Sequence, residues 1–184
     1  IKEYDLHTLR NKLGYVSQKA IMFSGSVKDN IEFGQDKELS DEEIKNALSI
    51  ACGLDFVENM PEKENSFITQ GGTNISGGQK QRLSIARAIA KNPEILVFDD
   101  SFSALDYKTD RALRENLKTS FADTTKLIVA QRIGTIKDAN KIIVLSDGKI
   151  AGIGTHKELL NSCEIYKEIA LSQLSQKEIE NELK

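Results

Sequence analysis

The fold is decided by Asn74-Ile75-Ser76-Gly77-Gly78-Gln79-Lys80-Gln81-Arg82, followed one helix later by Ile95-Leu96-Val97-Phe98-Asp99-Asp100. Ser76 is a good N-cap residue, and Gln79 three residues later completes a Ser-x-x-Gln capping box, so a helix is predicted to begin here. The two glycines carry no side chains, so backbone N–H groups at the positive end of this helix can approach an anion closely. The expected ligand of this segment is a phosphate group.

The second half of the pattern places two acids at the end of a strand. The helix is expected to run to about Lys91, because Asn92-Pro93 stops it. The unbroken apolar run 95–98 is typical of a strand buried on both faces of a parallel sheet. Open α/β sheets bind ligands at the carboxyl ends of their strands, so Asp99 and Asp100 are well placed for Mg²⁺ and a water. Taken alone, the two acids also fit a solvated acidic turn.

Together these motifs resemble those of the nucleotide-binding domain of ATP-binding cassette (ABC) transporters. Ser76–Gln79 is similar to the family signature, Ile95–Asp99 to its Walker B strand, and Ser103–Asp106 to its D-loop. Gln18 resembles the Q-loop glutamine, and Gln131 lies where the switch histidine is expected. The resemblance covers nearly the whole chain.

The resemblance implies an α/β fold with a parallel sheet of the P-loop NTPase (RecA-like) type, carrying a helical signature subdomain. Residues 1–184 would form a partial nucleotide-binding domain. Within it, residues 33–90 would be the helical subdomain, and residues 1–32 and 91–184 would belong to the α/β core and the C-terminal helices. The polar end of the chain, residues 176–184, is expected to be a solvated helix or a frayed end.

One family motif is missing from the sequence. No Gly-x-x-x-x-Gly-Lys-Ser/Thr occurs, and the only Gly-Lys pair, Gly148-Lys149, lies in a predicted turn. By the resemblance, the P-loop should precede Ile1, so the sheet would be truncated on its N-terminal side and the fragment alone would be inactive. The resemblance places the P-loop strand beside the Walker B strand, so its absence would leave an apolar edge and face exposed around Val97.

The exporter branch of the family fits better than importers or soluble members. Residues 22–31, Met-Phe-Ser-Gly-Ser-Val-Lys-Asp-Asn-Ile, resemble the exporter segment that follows the Q-loop and faces the coupling helices of a transmembrane domain. Residues 130–136 resemble the exporter switch region. The implied function is to couple ATP binding and hydrolysis to transport, at the cytoplasmic face of the membrane, through transmembrane segments outside this chain.

The resemblance also assigns roles to single residues. Asp99 would hold Mg²⁺, Gln18 would sense the metal and the water, Asp100 would act as a weak base or water orienter, and Gln131 would touch the γ-phosphate. The residues that would contact ATP held by a second nucleotide-binding domain, or that domain itself, are Ser76, Gly77, Gly78, Gln79 and Asp106.

Two departures from the family pattern concern hydrolysis. The family usually has glutamate where this chain has Asp100, and histidine where it has Gln131. Shortening the carboxylate arm by one methylene retracts it by more than about 1 Å, and misplacement of that size can cost about a hundredfold in rate. Gln131 can donate a hydrogen bond but cannot carry a positive charge. Hydrolysis at this chain's own site should therefore be slow.

An intact signature beside weakened hydrolytic residues favours one half of a heterodimer over a homodimer. The signature would complete a competent site on the partner, whereas the local site would be degenerate. Two alternatives remain: a nucleotide-gated regulatory module that hardly hydrolyses ATP, and a soluble ABC ATPase without a transport role.

Composition sets further bounds. The 184 residues, 39% of them hydrophobic, suffice for one core of ordinary size. A net charge of −3 argues against a nucleic-acid partner, which usually requires a basic face. Capping boxes at Ser40 and Thr155 predict two further helix starts, and Asp147-Gly148 predicts a β-hairpin.

Overall fold

The structure is a computed structural model and describes residues 2–175 and residue 179. The chain forms two compact units, Ile1–Val129 and Ala130–Lys184. The expectation of a solvated helix or frayed end at residues 176–184 falls outside the described residues, except at residue 179.

The first unit contains a parallel sheet and most of the helices. Its helices are α1 (Leu6–Asn11), α2 (Val27–Glu32), α3 (Asp41–Ile50), α4 (Leu54–Glu58), α5 (Gly77–Ala90) and α6 (Tyr107–Ser120). Its strands are β1 (Leu13–Val16), β2 (Gly25–Ser26), β3 (Phe67–Ile68), β4 (Ile95–Asp99) and β5 (Thr125–Val129). The order β1-β4-β5 forms the sheet, with both pairs parallel, and β2 and β3 form a short antiparallel pair. The predicted α/β class is confirmed.

The position expected for a P-loop strand is already occupied. Val97 pairs with Tyr15 of β1 on one side and with Leu127 of β5 on the other, so β4 is the central strand. The expectation of a free edge at Val97 was therefore wrong, because strand order depends on long-range pairing that a local apolar run does not encode. The apolar side chains that are exposed on the sheet lie instead on the flanking strands, at Tyr15, Leu127 and Val129.

The burial of β4 is also more one-sided than predicted. Leu96 and Phe98 are fully buried, whereas Ile95 and Val97 are only partly buried. One face of the sheet is covered by α5, which packs against β1, α2 and α3. The other face has partial cover, as the alternating burial along β4 and β5 indicates.

Helix α5 is the central helix of this unit. Leu83, Ala86 and Ile89 form a buried apolar stripe on α5, and Ile85 and Ala88 on other faces are buried as well. A helical subdomain at residues 33–90 remains a prediction. In the structure, helices α3 and α5 share one apolar core with strands β1 and β4, so the core does not separate these helices from the sheet.

The close approach of α5 to the sheet requires a glycine on β1. A Cβ atom added to Gly14 would lie 2.7 Å from the carbonyl oxygen of Ala88 and 2.8 Å from Leu96 Cδ2. Only a residue without a side chain permits this spacing. The strand that leads to Gln18 is therefore packed directly on the helix that begins at Ser76.

In its described residues, 130–175 and 179, the second unit contains a β-hairpin and three helices. Its helices are α7 (Ile133–Ile136), α8 (His156–Ser162) and α9 (Glu164–Gln173), and its strands are β6 (Ile142–Ser146) and β7 (Lys149–Gly154). The turn residues Asp147 and Gly148 both have positive φ, at 49° and 72°, as a type I′ hairpin turn requires. The predicted hairpin is confirmed.

The predicted helix starts are confirmed in both units. The Ser40 and Thr155 hydroxyls each accept a hydrogen bond from a backbone N–H three residues on. In return, the backbone N–H groups of Ser40 and Thr155 donate to the carboxylates of Glu43 and Glu158. Among the residues that the structure describes, no helix combines the length and apolar character that a membrane span requires.

Candidate functional site

The phosphate-binding segment predicted from the sequence is a capped helix start. Ser76 Oγ accepts a hydrogen bond from the Gln79 N–H at 3.2 Å, and Gln79 Oε1 accepts one from the Ser76 N–H at 2.8 Å. A Cβ atom on Gly77 would meet nothing within 4 Å, so the first turn of α5 faces open space. The 14-residue helix therefore presents unpaired N–H groups and its positive dipole end at an accessible surface.

This helix start lies beside the predicted D-loop. A Cβ atom on Gly78 would lie 3.6 Å from the Ala104 carbonyl oxygen. Asp106, two residues further on, is the N-cap of α6: its Oδ1 accepts from the Thr109 N–H at 3.0 Å and its Oδ2 from Thr109 Oγ1 at 2.7 Å. These hydrogen bonds, first the one from the Thr109 backbone, lower the pKa of Asp106. Asp106 thus has a structural role as the N-cap, and its predicted contact with a second domain remains a prediction.

The two acids end the central strand in different conformations. Asp99 is the last residue of β4, whereas Asp100 adopts a left-handed backbone conformation with φ 45° and is buried. The Asp100 N–H donates to the Val129 carbonyl at 3.0 Å, and its own carbonyl accepts from Ser103 Oγ at 2.7 Å. A positive φ is uncommon for a residue with a side chain, although aspartate tolerates it better than most. The turn therefore holds Asp100 from both sides.

Each acid accepts a hydrogen bond from the segment that includes β1. Gln18 Nε2 donates to Asp100 Oδ2 at 3.0 Å, and the Tyr15 hydroxyl donates to Asp99 Oδ2 at 2.9 Å. Because Tyr15 pairs with Val97, it lies on the same face of the sheet as Asp99, two residues further along β4. The structure thus brings Gln18, Asp99 and Asp100 together, as the sequence analysis expected.

Tyr15 is the site residue that sequence reasoning missed. Its hydrogen bond to the Asp99 carboxylate raises the pKa of the phenol, because the phenolate would face a negative charge. The signal was present in the sequence: Tyr15 precedes Gln18 by three residues on an alternating strand. Its use required the register between β1 and β4, which the sequence alone does not provide.

Gln131 belongs to the second unit. It follows the end of β5 and is exposed, and its backbone carbonyl accepts a hydrogen bond from Gln173 Nε2 at 2.8 Å. Gln173 also accepts, through its Oε1, a hydrogen bond from the Ile133 N–H at 2.8 Å. Helix α9 therefore anchors the segment on which Gln131 lies, and its role at a phosphate remains a prediction.

The donor set around β4 suits a magnesium ion that is shared with a ligand. Within the described part of the chain, no group of three or more His, Cys, Asp or Glu side chains could hold a metal ion. Mg²⁺, however, is commonly bound by one or two carboxylates together with phosphate oxygens and waters. Asp99 and Asp100 provide carboxylate oxygens, and Gln18 has an amide oxygen in addition to the NH₂ that bonds Asp100. The residues present fit this kind of site.

The sequence is similar to those of known ABC transporter proteins. The profile of the ABC transporter family matches residues 1–103. An uncharacterized ABC transporter ATP-binding protein of Mycobacterium tuberculosis is 42% identical over 175 residues, which are 94% of this chain and 30% of that protein. Multidrug resistance protein 4 of Entamoeba histolytica is 40% identical over 175 residues, covering 94% of this chain and 13% of that protein.

A solved structure shows the same fold. A bacterial Atm1-family ABC exporter with ATP bound superimposes with a TM-score of 0.90 at 34% identity, covering 96% of this chain and 31% of that chain. The chain thus spans less than a third of the length of each of these relatives.

Proposed function

The chain belongs to the ABC transporter family, and from that premise we propose that it is the ATP-binding portion of an exporter, coupling ATP binding and hydrolysis to transport. ATP is the proposed substrate and Mg²⁺ the proposed metal. The roles of Asp99, Asp100, Gln18 and Gln131 are those that the sequence pattern predicts.

One observation carries the proposal. The 3.0 Å hydrogen bond between Gln18 Nε2 and Asp100 Oδ2 joins the end of β1 to the end of β4, so the amide and both acids meet at one edge of the sheet. This edge is where α/β sheets bind ligands. In the same unit, the capped start of α5 offers N–H groups to a phosphate.

The proposed mechanism assigns each side chain one task. Bound Mg²⁺ supplies positive charge that neutralises charge developing on the phosphate oxygens. Asp99 would hold the metal, and the Tyr15 hydroxyl orients the Asp99 carboxylate by donating to Oδ2. Asp100 orients the attacking water or accepts its proton, and Gln18, which donates to Asp100, would sense the metal and the water. Gln131 donates a neutral hydrogen bond to the γ-phosphate.

Hydrolysis at this site is proposed to be slow. Asp100 has a shorter arm than glutamate and is held by Gln18, so its carboxylate is less available to a water. Gln131 provides no positive charge. ATP binding depends on other contacts and is expected to persist.

The proposed partners follow from the combination of an intact signature with weakened hydrolytic residues. A second nucleotide-binding domain, in a heterodimer, would hold ATP against Ser76, Gly77, Gly78 and Gln79, with Asp106 contacting that domain. A transmembrane domain would engage residues 22–31 through its coupling helices, at the cytoplasmic face of the membrane. Co-purification of the native polypeptide with a glutamate-bearing partner would support the heterodimer, and a fully active homodimer would contradict it.

A second candidate function is a regulatory module that binds ATP to hold a dimer closed and hardly turns it over. The Asp100–Gln18 hydrogen bond favours it, because that bond occupies the acid that hydrolysis would need. A soluble ABC ATPase without a transport role is a weaker alternative, since the sequence of residues 22–31 resembles the exporter segment that follows the Q-loop.

The test of ATP binding is calorimetry with Mg-ATP. It compares this chain with the same protein extended upstream to include a P-loop. No binding to the chain and micromolar binding to the extended protein would support the proposal. Tight binding to the chain by itself would mean that the phosphate site is elsewhere.

A further inference from the structure

The Asp99 carboxylate is oriented by a neutral donor. The Tyr15 hydroxyl donates to Asp99 Oδ2 at 2.9 Å, and within the described part of the chain Asp99 forms no ion pair with a lysine, arginine or histidine. A hydrogen bond to an ionised acceptor is about twice as strong as one between neutral groups. Tyr15 therefore orients this carboxylate without cancelling the negative charge that attracts a cation.

The sheet fixes the position of this donor. Tyr15 lies opposite Val97 in the parallel pairing of β1 with β4, so its side chain projects from the same face as Asp99. The neighbouring Gly14 holds β1 directly on α5, since a Cβ atom there would lie 2.7 Å from the Ala88 carbonyl oxygen. A tyrosine side chain has only two χ angles, so little conformational freedom is lost when it is ordered. The hydroxyl is thus in place before a metal binds.

Burial does not account for the tyrosine at this position. Tyr15 is 57% exposed, although it lies on a strand of the central sheet. Its polar contact has a counterpart three residues later, where Gln18 Nε2 donates to Asp100 Oδ2 at 3.0 Å. Each acid at the end of β4 therefore has one oxygen engaged by an uncharged donor from residues 15–18.

Divalent cations differ in how they use a carboxylate. Mg²⁺ requires near-octahedral geometry at about 2.0–2.1 Å and is bound by one or two carboxylates together with waters and phosphate oxygens. Ca²⁺ accepts about six to eight oxygens in a flexible arrangement and readily takes both oxygens of one carboxylate. Because Asp99 Oδ2 already accepts the Tyr15 hydrogen bond, coordination through both oxygens would weaken or break that bond.

We propose that Tyr15 determines the metal specificity of this site. Its hydroxyl disfavours coordination through both oxygens of Asp99 and so favours Mg²⁺ over Ca²⁺. Tyr15 acts through Asp99 and is therefore a positioning residue. This inference rests on the proposed function and names the side chain that selects its metal.

The test is calorimetry on the native polypeptide that contains this chain, with a nonhydrolysable ATP analogue. The dissociation constants of its Mg²⁺ and Ca²⁺ complexes are measured separately, with metal in excess so that all of the nucleotide is metal-bound. Tyr15→Phe keeps the ring and removes the hydroxyl. Tyr4→Phe is the matched control, because Tyr4 is similarly exposed, at 53%, and within the described residues bonds neither acid.

The native protein and Tyr4→Phe should bind the Mg²⁺ complex more tightly than the Ca²⁺ complex. In Tyr15→Phe this preference should fall about tenfold, the scale of losing one hydrogen bond to a charged group. A purely structural role would weaken both complexes equally, so an equal change overturns the proposal. An unchanged preference in Tyr15→Phe, or a native protein that prefers neither metal, also overturns it.

Failure of the proposed function gives a different result. If the native polypeptide binds the nucleotide with neither metal, the proposed ATP site fails and the role of Tyr15 fails with it. If the native polypeptide prefers the Mg²⁺ complex and Tyr15→Phe keeps that preference, only the role of Tyr15 is wrong.

Discussion

Replacing Arg87 should uncouple residues 21–30 from α5. Arg87 Nε donates to the Asn30 carbonyl at 2.6 Å, Nη1 to the Ile21 carbonyl at 2.9 Å and Nη2 to Asn30 Oδ1 at 3.1 Å. The guanidinium also lies over the Phe23 and Phe33 rings, 5.3 and 5.8 Å from their centroids. Burial lowers the pKa of Arg87 to about 10, so the side chain remains charged at neutral pH.

The expected cost of Arg87→Met follows from these contacts. The Asn30 carbonyl is in the last turn of α2, where no N–H of the same helix can reach it, and an acceptor left without its donor in a partly buried site costs about 1–3 kcal/mol. Loss of the two cation–π contacts adds about 0.5–1 kcal/mol each. Asn30 Oδ1 keeps its bond from the Phe23 N–H, and methionine avoids the cost of burying a charge. A net loss of about 2–4 kcal/mol is expected.

The assay is urea unfolding at neutral pH, with Arg111→Met as control. Arg111 makes an exposed ion pair with Glu115 on α6, at 3.0 Å, and its loss should cost under about 1 kcal/mol. Exchange protection at residues 21–30 should fall in Arg87→Met and not in the control. If the two variants lose equal stability, Arg87 does not anchor this segment and the reasoning is refuted.

Three further substitutions test the packing and the site. Gly14→Ala should destabilise the first unit by about 1–3 kcal/mol in urea unfolding, because its Cβ would lie 2.7 Å from the Ala88 carbonyl; unchanged stability would contradict this. Tyrosinate absorbance should show Tyr15 ionising at lower pH in Asp99→Asn than in the native protein, because the acid raises the phenol pKa. The stability that this hydrogen bond contributes is present below the pKa of tyrosine in the unfolded chain and is lost as pH rises through the Tyr15 pKa in the folded protein. If Tyr15 titrates with the same midpoint in the native protein and in Asp99→Asn, the contact is excluded. Gly77→Ala should leave the stability to urea unchanged, since a Cβ atom at Gly77 would meet nothing within 4 Å. The same substitution should weaken the trapping of ATP between paired nucleotide-binding domains, and unchanged trapping would mean that the ligand binds elsewhere.

Helix caps and turns, which depend on residues close together in sequence, could be predicted from the sequence. The capping boxes at Ser40, Ser76 and Thr155 each need only residues three positions apart, and all three formed. The Asp147-Gly148 turn likewise depends on the φ preferences of its own two residues. The resemblance placed Gln18 and Asp100 at one magnesium and water site, but their hydrogen bond was not predicted.

Strand order, strand register and contacts between distant segments could not be predicted from the sequence. The central position of β4 depends on pairing with β1 and β5, which no local pattern specifies. The bond from Tyr15 to Asp99 depends on the register of those strands, and the bond from Lys80 to Gly71 depends on a turn with two left-handed glycines. Each contact joins segments whose relative placement only the folded chain determines.

The central claim of the proposed function is that the native polypeptide that contains this chain binds ATP but hydrolyses it slowly because of Asp100 and Gln131. The direct measurement is single-turnover ATP hydrolysis by the native polypeptide that contains this chain, compared with Asp100→Glu and with Asp100→Glu combined with Gln131→His, at saturating Mg-ATP. The rate constant of the double variant should be about a hundredfold higher than that of the native protein, with unchanged ATP affinity. A native rate that neither variant increases would contradict it.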